Sequence, residues 1–181
     1  MRAVCMVAHP DDCVIFAYSL MHHFDRLSWH VGYLTYQHTD PRAQELDRFW
    51  TRRGVTTSFL GFVDDYHDIE LGRPSFDIDA ACHAIQDVTR DADVIVTHDA
   101  EGDYGHPHHR FVHRCVSLLC HDHVITFAAS GQGTHHYEIA QPDYDEAELP
   151  LHWSVIQGFH PATHRNSYVI KSNTYHRISN A

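Results

Sequence analysis

Six consecutive apolar residues, Ala3 to Ala8, stop abruptly at His9-Pro10-Asp11-Asp12. A short uninterrupted apolar run with two valines reads as a strand buried on both faces, the place of a central strand in a parallel sheet. Pro10 ends it. Cys13, Phe16, Ala17, Leu20 and Phe24 then recur at helical spacing, with Asp11 or Asp12 positioned to cap that helix. His9, Asp11 and Asp12 therefore stand at the carboxyl end of a strand, the edge where open α/β sheets place their ligands.

The rest of the chain keeps the same alternation. Trp29 to Tyr36 is a second strand, and Pro41 to Arg53 a helix with Leu46, Phe49, Trp50 and Arg53 on one face, closed by Gly54. Thr56 to Phe62 is a third strand, and Val63-Asp64-Asp65 leads into a polar loop that is either substrate-facing or solvated. Asp77 to Arg90 is a helix with Ile78, Ala81, Cys82 and Ile85 inward, and Asp93 to His98 a fourth buried strand. A loop with two glycines precedes Pro107, which suits the first turn of the helix carrying Phe111, Val112, Cys115 and Leu118. His123 to Ala129 is a fifth strand. Strict alternation of strand and helix predicts an α/β fold with a doubly wound, mostly parallel sheet and helices on both faces. Beyond Ser130 the pattern weakens. Thr134 to Ala140 and Leu151 to Gln157 read as strands around an acidic loop, Pro142 to Pro150, and the last 20 residues show no clear period.

With 181 residues, 43% of them hydrophobic, the chain is sized for a single domain, 1–181, with its core in 1–130 and an extension of the substrate pocket in 131–181. No stretch approaches the roughly 18 apolar residues of a membrane span, and the amino terminus enters a strand without a signal-peptide pattern. The expectation is a cytoplasmic protein. Five cysteines, without the paired spacings of a zinc finger, read as reduced core residues. A net charge of −11 repels nucleic acid and anionic membrane. The 20 histidines are the compositional anomaly, and most are expected on the surface because one metal site consumes only two or three.

Gly105-His106-Pro107-His108-His109 lies just past the fourth strand, at the same edge of the sheet as His9. His109 can complete a three-ligand site with His9 and Asp12, leaving a fourth position for water, as catalytic zinc requires. His106 would then point at whatever is bound. His113, one turn after His109, is a rival ligand.

In these residues the chain resembles the LmbE-like, or PIG-L, family of zinc-dependent N-acetylglucosaminyl deacetylases. The resemblance rests on Ala8-His9-Pro10-Asp11-Asp12, on Asp93-Val94-Ile95-Val96-Thr97-His98 leading to Gly102-Asp103-Tyr104-Gly105-His106-Pro107-His108-His109, and on Arg42 with Glu45 ahead of Gly54-Val55 and Phe59-Leu60-Gly61. It covers roughly the first 120 residues. It implies a Rossmann-like fold, one zinc per chain, and hydrolysis of the acetamide of an N-acetylated amino sugar, glycoconjugate or related N-acyl small molecule. Carried onto matching positions, His9, Asp12 and His109 are the metal ligands, Asp11 the general base, His106 the protonated partner of the oxyanion, and Tyr104 a substrate-binding residue. Arg42 and Glu45 are either a pair on a helix surface or, for Arg42, a substrate contact.

Two positions depart from the family pattern. Cys13 stands where a glutamate is usual, and is either a core residue or a thiolate for the metal. His108 stands where an aspartate is usual, which removes a carboxylate that would keep His106 protonated and leaves Asp99 or Asp103 to replace it. His135, His136 and His160 fall where relatives complete their pocket. The reading from another class is a non-catalytic metal- or sugar-binding module on the same fold. A nucleotide-binding domain is disfavoured, since no Gly-x-Gly-x-x-Gly follows the first strand.

Overall fold

A computed structural model of the chain describes residues 1–118, 122–128, 136–159 and 165–181. The strands are β1 (Arg2–Val7), β2 (Ser28–Thr35), β3 (Thr56–Phe62), β4 (Val94–Thr97), β5 (Val124–Phe127), β6 (His136–Ala140) and β7 (Arg165–Val169). The helices are α1 (Tyr18–His23), α2 (Pro41–Thr51), α3 (Tyr66–Glu70), α4 (Ile78–Thr89), α5 (Pro107–Ser117), α6 (Trp153–Phe159) and α7 (Ser172–Ser179). All seven strands form one sheet in the order β3-β2-β1-β4-β5-β7-β6. The pairs from β3 to β5 are parallel, and β7 and β6 extend the sheet antiparallel. The chain order reverses between β1 and β4. That is the switch point of a doubly wound sheet, where the connections diverge to opposite faces and open a crevice at the carboxyl ends of the strands.

Both faces are covered, as the apolar run of β1 requires. Ala3, Cys5 and Val7 pack with residues of α1 and α2, whereas Met6 and Ala8 pack with Ala81 and Ile85 of α4 and Val112, Cys115 and Val116 of α5. Successive side chains of a strand point to opposite faces, so one uninterrupted sequence serves two cores. Asp40 and Asp77 cap α2 and α4 through Arg42 N (2.8 Å) and Ala80 N (3.0 Å), and Pro41 and Pro107 occupy first turns.

Three local expectations are corrected. Neither Asp11 nor Asp12 caps the helix after β1 with its side chain; the chain enters a π-helical turn, Cys13–Ala17, before α1. The Asp12 carboxylate folds back onto the His9 amide at 2.7 Å instead. The segment Leu151–Gln157 is not a strand. Leu149 and His152, in the turns before α6, and Ile156 within it are the buried positions, a spacing of three and four rather than two, and the β-branched pair Val155-Ile156 concealed it. The last residues, which lack a clear period, supply β7 and α7. Of Thr134 to Ala140, residues His136–Ala140 are a strand. His135 and His160 lie outside the described residues.

Cys13 is a core residue. Its Sγ lies 2.7 Å from the Tyr33 hydroxyl, and Trp50 Nε1 donates to both, at 2.8 Å to Tyr33 and 3.2 Å to Cys13. Burial drives the thiol pKa up, against the pull of Tyr33 and Trp50, so it stays protonated. Removing the hydroxyl leaves a buried indole N–H with only a weak sulfur acceptor. Tyr33→Phe should therefore cost about 1–3 kcal/mol in urea unfolding, and an unchanged midpoint would show that the hydroxyl contributes nothing to stability.

Candidate active site

The end of β1 delivers His9 and Asp12, and the start of α5 delivers His106, His108 and His109 across the switch point. His9 Nδ1 and Asp12 Oδ2 are 3.2 Å apart, Asp12 Oδ2 and His109 Nε2 3.3 Å, and His109 Nε2 and His9 Nδ1 3.3 Å. A tetrahedral zinc with bonds of about 2.0–2.1 Å has its ligand atoms roughly 3.3 Å apart. The triangle therefore has the dimensions of one face of such a site, and the donor set suits zinc. His106 offers a nitrogen within 4.8 Å of the donors of His9 and His109.

The remaining ring atoms fix which nitrogens carry lone pairs. His109 Nδ1 donates to Asp103 Oδ2 at 2.8 Å, leaving Nε2 free to bind an ion. His98 accepts the Ala8 amide on Nε2 at 3.0 Å and donates from Nδ1 to the same Asp103 oxygen, which removes it from any ligand set. His113 is spoken for as well, with Nδ1 on the His98 carbonyl (2.8 Å) and Nε2 on Ser117 Oγ (3.2 Å). Asp103 thus orients His98 and His109 rather than replacing the aspartate expected beside His106. On the loop after β3, Asp65 accepts instead from His108 Nε2 at 2.8 Å. His108 Nδ1 in turn faces His9 Nε2 at 3.1 Å, completing a chain from carboxylate to imidazole to candidate ligand.

The electrostatics are those of a cation site. Burial disfavours an imidazolium at His9, but Asp12 and then Asp64 overcome it and hold the pKa up at about 10. His109, likewise opposed by burial, is raised to about 9 by Asp12 and Asp103. The two adjacent aspartates are pushed apart. Burial and Asp12 raise Asp11 despite Arg42, whereas Asp12, although buried, is held well down by His109 and His9. Burial, then His9, His109 and His108, lower His106 to about 3. These neighbours favour the neutral imidazole at His106. Its Nδ1 accepts the His108 amide at 3.2 Å as the N-cap of α5, which leaves the proton on Nε2.

Around this centre lies a cleft of about 220 Å³. Its lining includes the polar residues His9, Asp11, Asp12, Arg42, Asp64 and His106 and the apolar or aromatic residues Ile15, Phe16, Tyr104, Val155 and Phe159. Arg42 Nη2 stands 3.6 Å from Asp11 Oδ2, and Nη1 donates to Tyr36 at 3.1 Å. Glu45 is not part of a surface pair: it is buried, accepts the Leu151 amide on both oxygens (3.0 and 2.9 Å), and bonds His152 Nδ1 at 3.1 Å. Tyr104, half exposed, packs its ring against His109 and Phe159.

Sequence reasoning missed His98, Asp64 and Asp65 as site residues. The signal for the two aspartates was their place at the end of a third parallel strand, the same edge as His9 and His106. The loop that aims His109 depends on Gly102, at φ +76°, where an added Cβ would stand 2.6 Å from the His106 carbonyl oxygen. Gly102→Ala should lower the melting temperature, and Gly54→Ala, with open space around its Cβ but φ +72°, should cost less. Equal losses in a thermal melt would remove the steric argument.

Residues 4–120 match the family described as GlcNAc-PI de-N-acetylase, PIG-L. Over 83 residues the chain is 36% identical to the 1D-myo-inositol 2-acetamido-2-deoxy-alpha-D-glucopyranoside deacetylase of Rhodococcus opacus (strain B4), covering 45% of this chain and 25% of that protein. The chain thus spans about a quarter of the length of that curated relative. Its fold is similar to the zinc inhibited form of a teicoplanin deacetylase, with a TM-score of 0.59 at 11% identity over 96% of this chain and 100% of that one. It is also similar to the 4-carboxy-2-hydroxymuconate hydratase of Pseudomonas putida KT2440, with a TM-score of 0.50 at 15% identity over 88% of this chain and 77% of that one. The two structural likenesses speak for the fold alone. The match across residues 4–120 goes further, and by it the chain belongs to the PIG-L family of de-N-acetylases.

Proposed function

We propose that the chain is a zinc-dependent de-N-acetylase that hydrolyses the acetamide of an N-acetylated amino sugar or glycoconjugate. The observation that carries this is the triangle of His9 Nδ1, Asp12 Oδ2 and His109 Nε2, with a second carboxylate, Asp11, beside it but outside it. His9, Asp12 and His109 would hold the ion. When bound, zinc supplies Lewis acidity, which polarises a carbonyl and lowers the pKa of water towards roughly 7.

The chain's own residues do the rest. Asp11, free of the triangle and raised by burial and by Asp12, takes a proton from the attacking water and returns it to the leaving nitrogen. Arg42, 3.6 Å from Asp11, keeps the carboxylate oriented and offers its remaining donors to the sugar. His106, with its proton on Nε2, donates a hydrogen bond to the oxyanion without needing a positive charge. Val155 and Phe159 join Tyr104 in the cleft lining, which supports a substrate-pocket role for the segment beyond residue 131. The curated relative's name identifies its substrate as a 2-acetamido-2-deoxyglucopyranoside of myo-inositol, which motivates N-acetylglucosaminyl compounds as first substrates.

Three variants test the assignment. His109→Ala should lose zinc by elemental analysis, and full occupancy would sink the ligand set. Asp11→Asn should keep zinc and lose about 10²- to 10⁴-fold in turnover on an N-acetylglucosaminyl substrate. Asp103→Asn should keep the fold and weaken zinc about 10- to 100-fold in a chelator competition, the usual effect of losing an outer partner of a ligand. Zinc bound without release of acetate from any such substrate would favour the non-catalytic binding module instead.

A further inference from the structure

His9 has two ring nitrogens, and the reading above uses one. The other, Nε2, stands 3.1 Å from His108 Nδ1 and 3.5 Å from Asp64 Oδ1, and those two atoms are 3.4 Å apart. This is a second triangle of two nitrogens and an oxygen, on the opposite edge of the same ring. Its sides bracket the roughly 3.3 Å that tetrahedral zinc sets between ligand atoms.

We propose that a second divalent ion of the zinc class binds to His9 Nε2, His108 Nδ1 and Asp64 Oδ1, and that its binding inhibits the enzyme. The proposal rests on the reading that His9 Nδ1 holds the catalytic ion.

The lone pairs are arranged for it. His108 donates from Nε2 to Asp65, so its Nδ1 carries a lone pair, and that atom faces His9 rather than solvent. With one ion bound, the His9 Nε2–H donates into this lone pair. A second ion takes the place of that proton: the N–H bond breaks, the proton leaves to solvent, and the ring bridges two ions as imidazolate. Asp64 supplies a charged oxygen from the mouth of the cleft, where 42% of its side chain is exposed, so the ion has a path of entry. Asp65 behind His108 adds negative charge on the far side, and a carboxylate behind a ligating imidazole strengthens it as a donor. The second ion is the weaker one, because it must displace a proton from a neutral imidazole and the first does not. It inhibits because His9 and Asp64 both line the cleft beside His106, so an ion on that edge occupies space the substrate needs.

The site belongs to this chain's own departure at position 108. An aspartate there would not present the same nitrogen to His9, and the Asp64-Asp65 loop would lose its imidazole partner.

The experiment is equilibrium dialysis of the full chain against zinc, with Asp64→Asn, His108→Gln and His109→Ala in parallel. The wild type should bind one equivalent tightly and a second at higher zinc, with loss of activity following the second. Asp64→Asn should keep the first and weaken the second by at least about 10-fold, with half-inhibition moving up by the same factor, whereas His108→Gln, which also removes the outer partner of His9, should weaken both and the second more. In the cobalt(II)-loaded wild type, the second equivalent should produce magnetic coupling through the shared ring, absent from Asp64→Asn. Saturation of the wild type at one equivalent overturns the proposal, as does a second equivalent of unchanged affinity in Asp64→Asn. Should His108→Gln fail to fold, the half-exposed Asp64 still decides. Retention of the first equivalent in His109→Ala would count against the catalytic ligand set, a failure distinct from loss of the second site.

Discussion

Two carboxylates, Asp12 and Asp103, are buried at the carboxyl edge of the sheet, and the site depends on how they are neutralised. A carboxylate taken out of water without partners is unaffordable in a domain of this size, so it must be surrounded by donors. Asp103 spends Oδ1 on the Asp99 amide and Oδ2 on two imidazoles, His98 and His109. Asp12 takes the His9 amide and sits between the rings of His9 and His109. The imidazoles are thereby locked in place by the acids that need them. Asp103 reaches this position from a left-handed backbone at φ 61°, which aspartate tolerates better than most residues, in a turn that Gly102 also bends.

The adjacent aspartates show how one strand end produces two chemistries. Asp11 and Asp12 differ by a single position, yet Asp12 turns inward to the histidines and Asp11 outward to the cleft and Arg42. Positive neighbours hold one in the ionised form, while burial beside a like charge raises the other. Environments that separate two carboxyl groups in this way are what divide a ligand from a base.

The histidine at position 108 shows a different kind of adjustment. Two acids from the β3 loop face it, Asp65 directly and Asp64 at the rim. The path from Asp65 to His9 runs through the His108 imidazole. His106 is then left among three other rings, where a positive charge is disfavoured, and the bond its Nδ1 accepts from the His108 amide orients it as a neutral donor.

Alternation of apolar runs and helical periods determined the parallel sheet, because each strand buried on two faces needs helices on both sides. The ends of those strands located His9, Asp12, His106 and His109, since a chain that leaves a central strand at the switch point must open into the crevice. Local pattern also placed Asp11 next to Asp12. It could not separate their roles, which rest on neighbours brought from α2 and α5. Nor could it place Asp64 and Asp65, whose partner His108 is 43 residues away from Asp65 in the chain. Glu45 looked like a helix-surface residue until the turn before α6 covered it with His152. That turn and the antiparallel strands after β5 carry little period of their own, and packing against the finished sheet is what shaped them. Sequence determined which atoms could meet at the sheet edge; the tertiary structure decided which lone pairs face one another, because tautomers and carboxylate orientations are set by contacts distant in the chain.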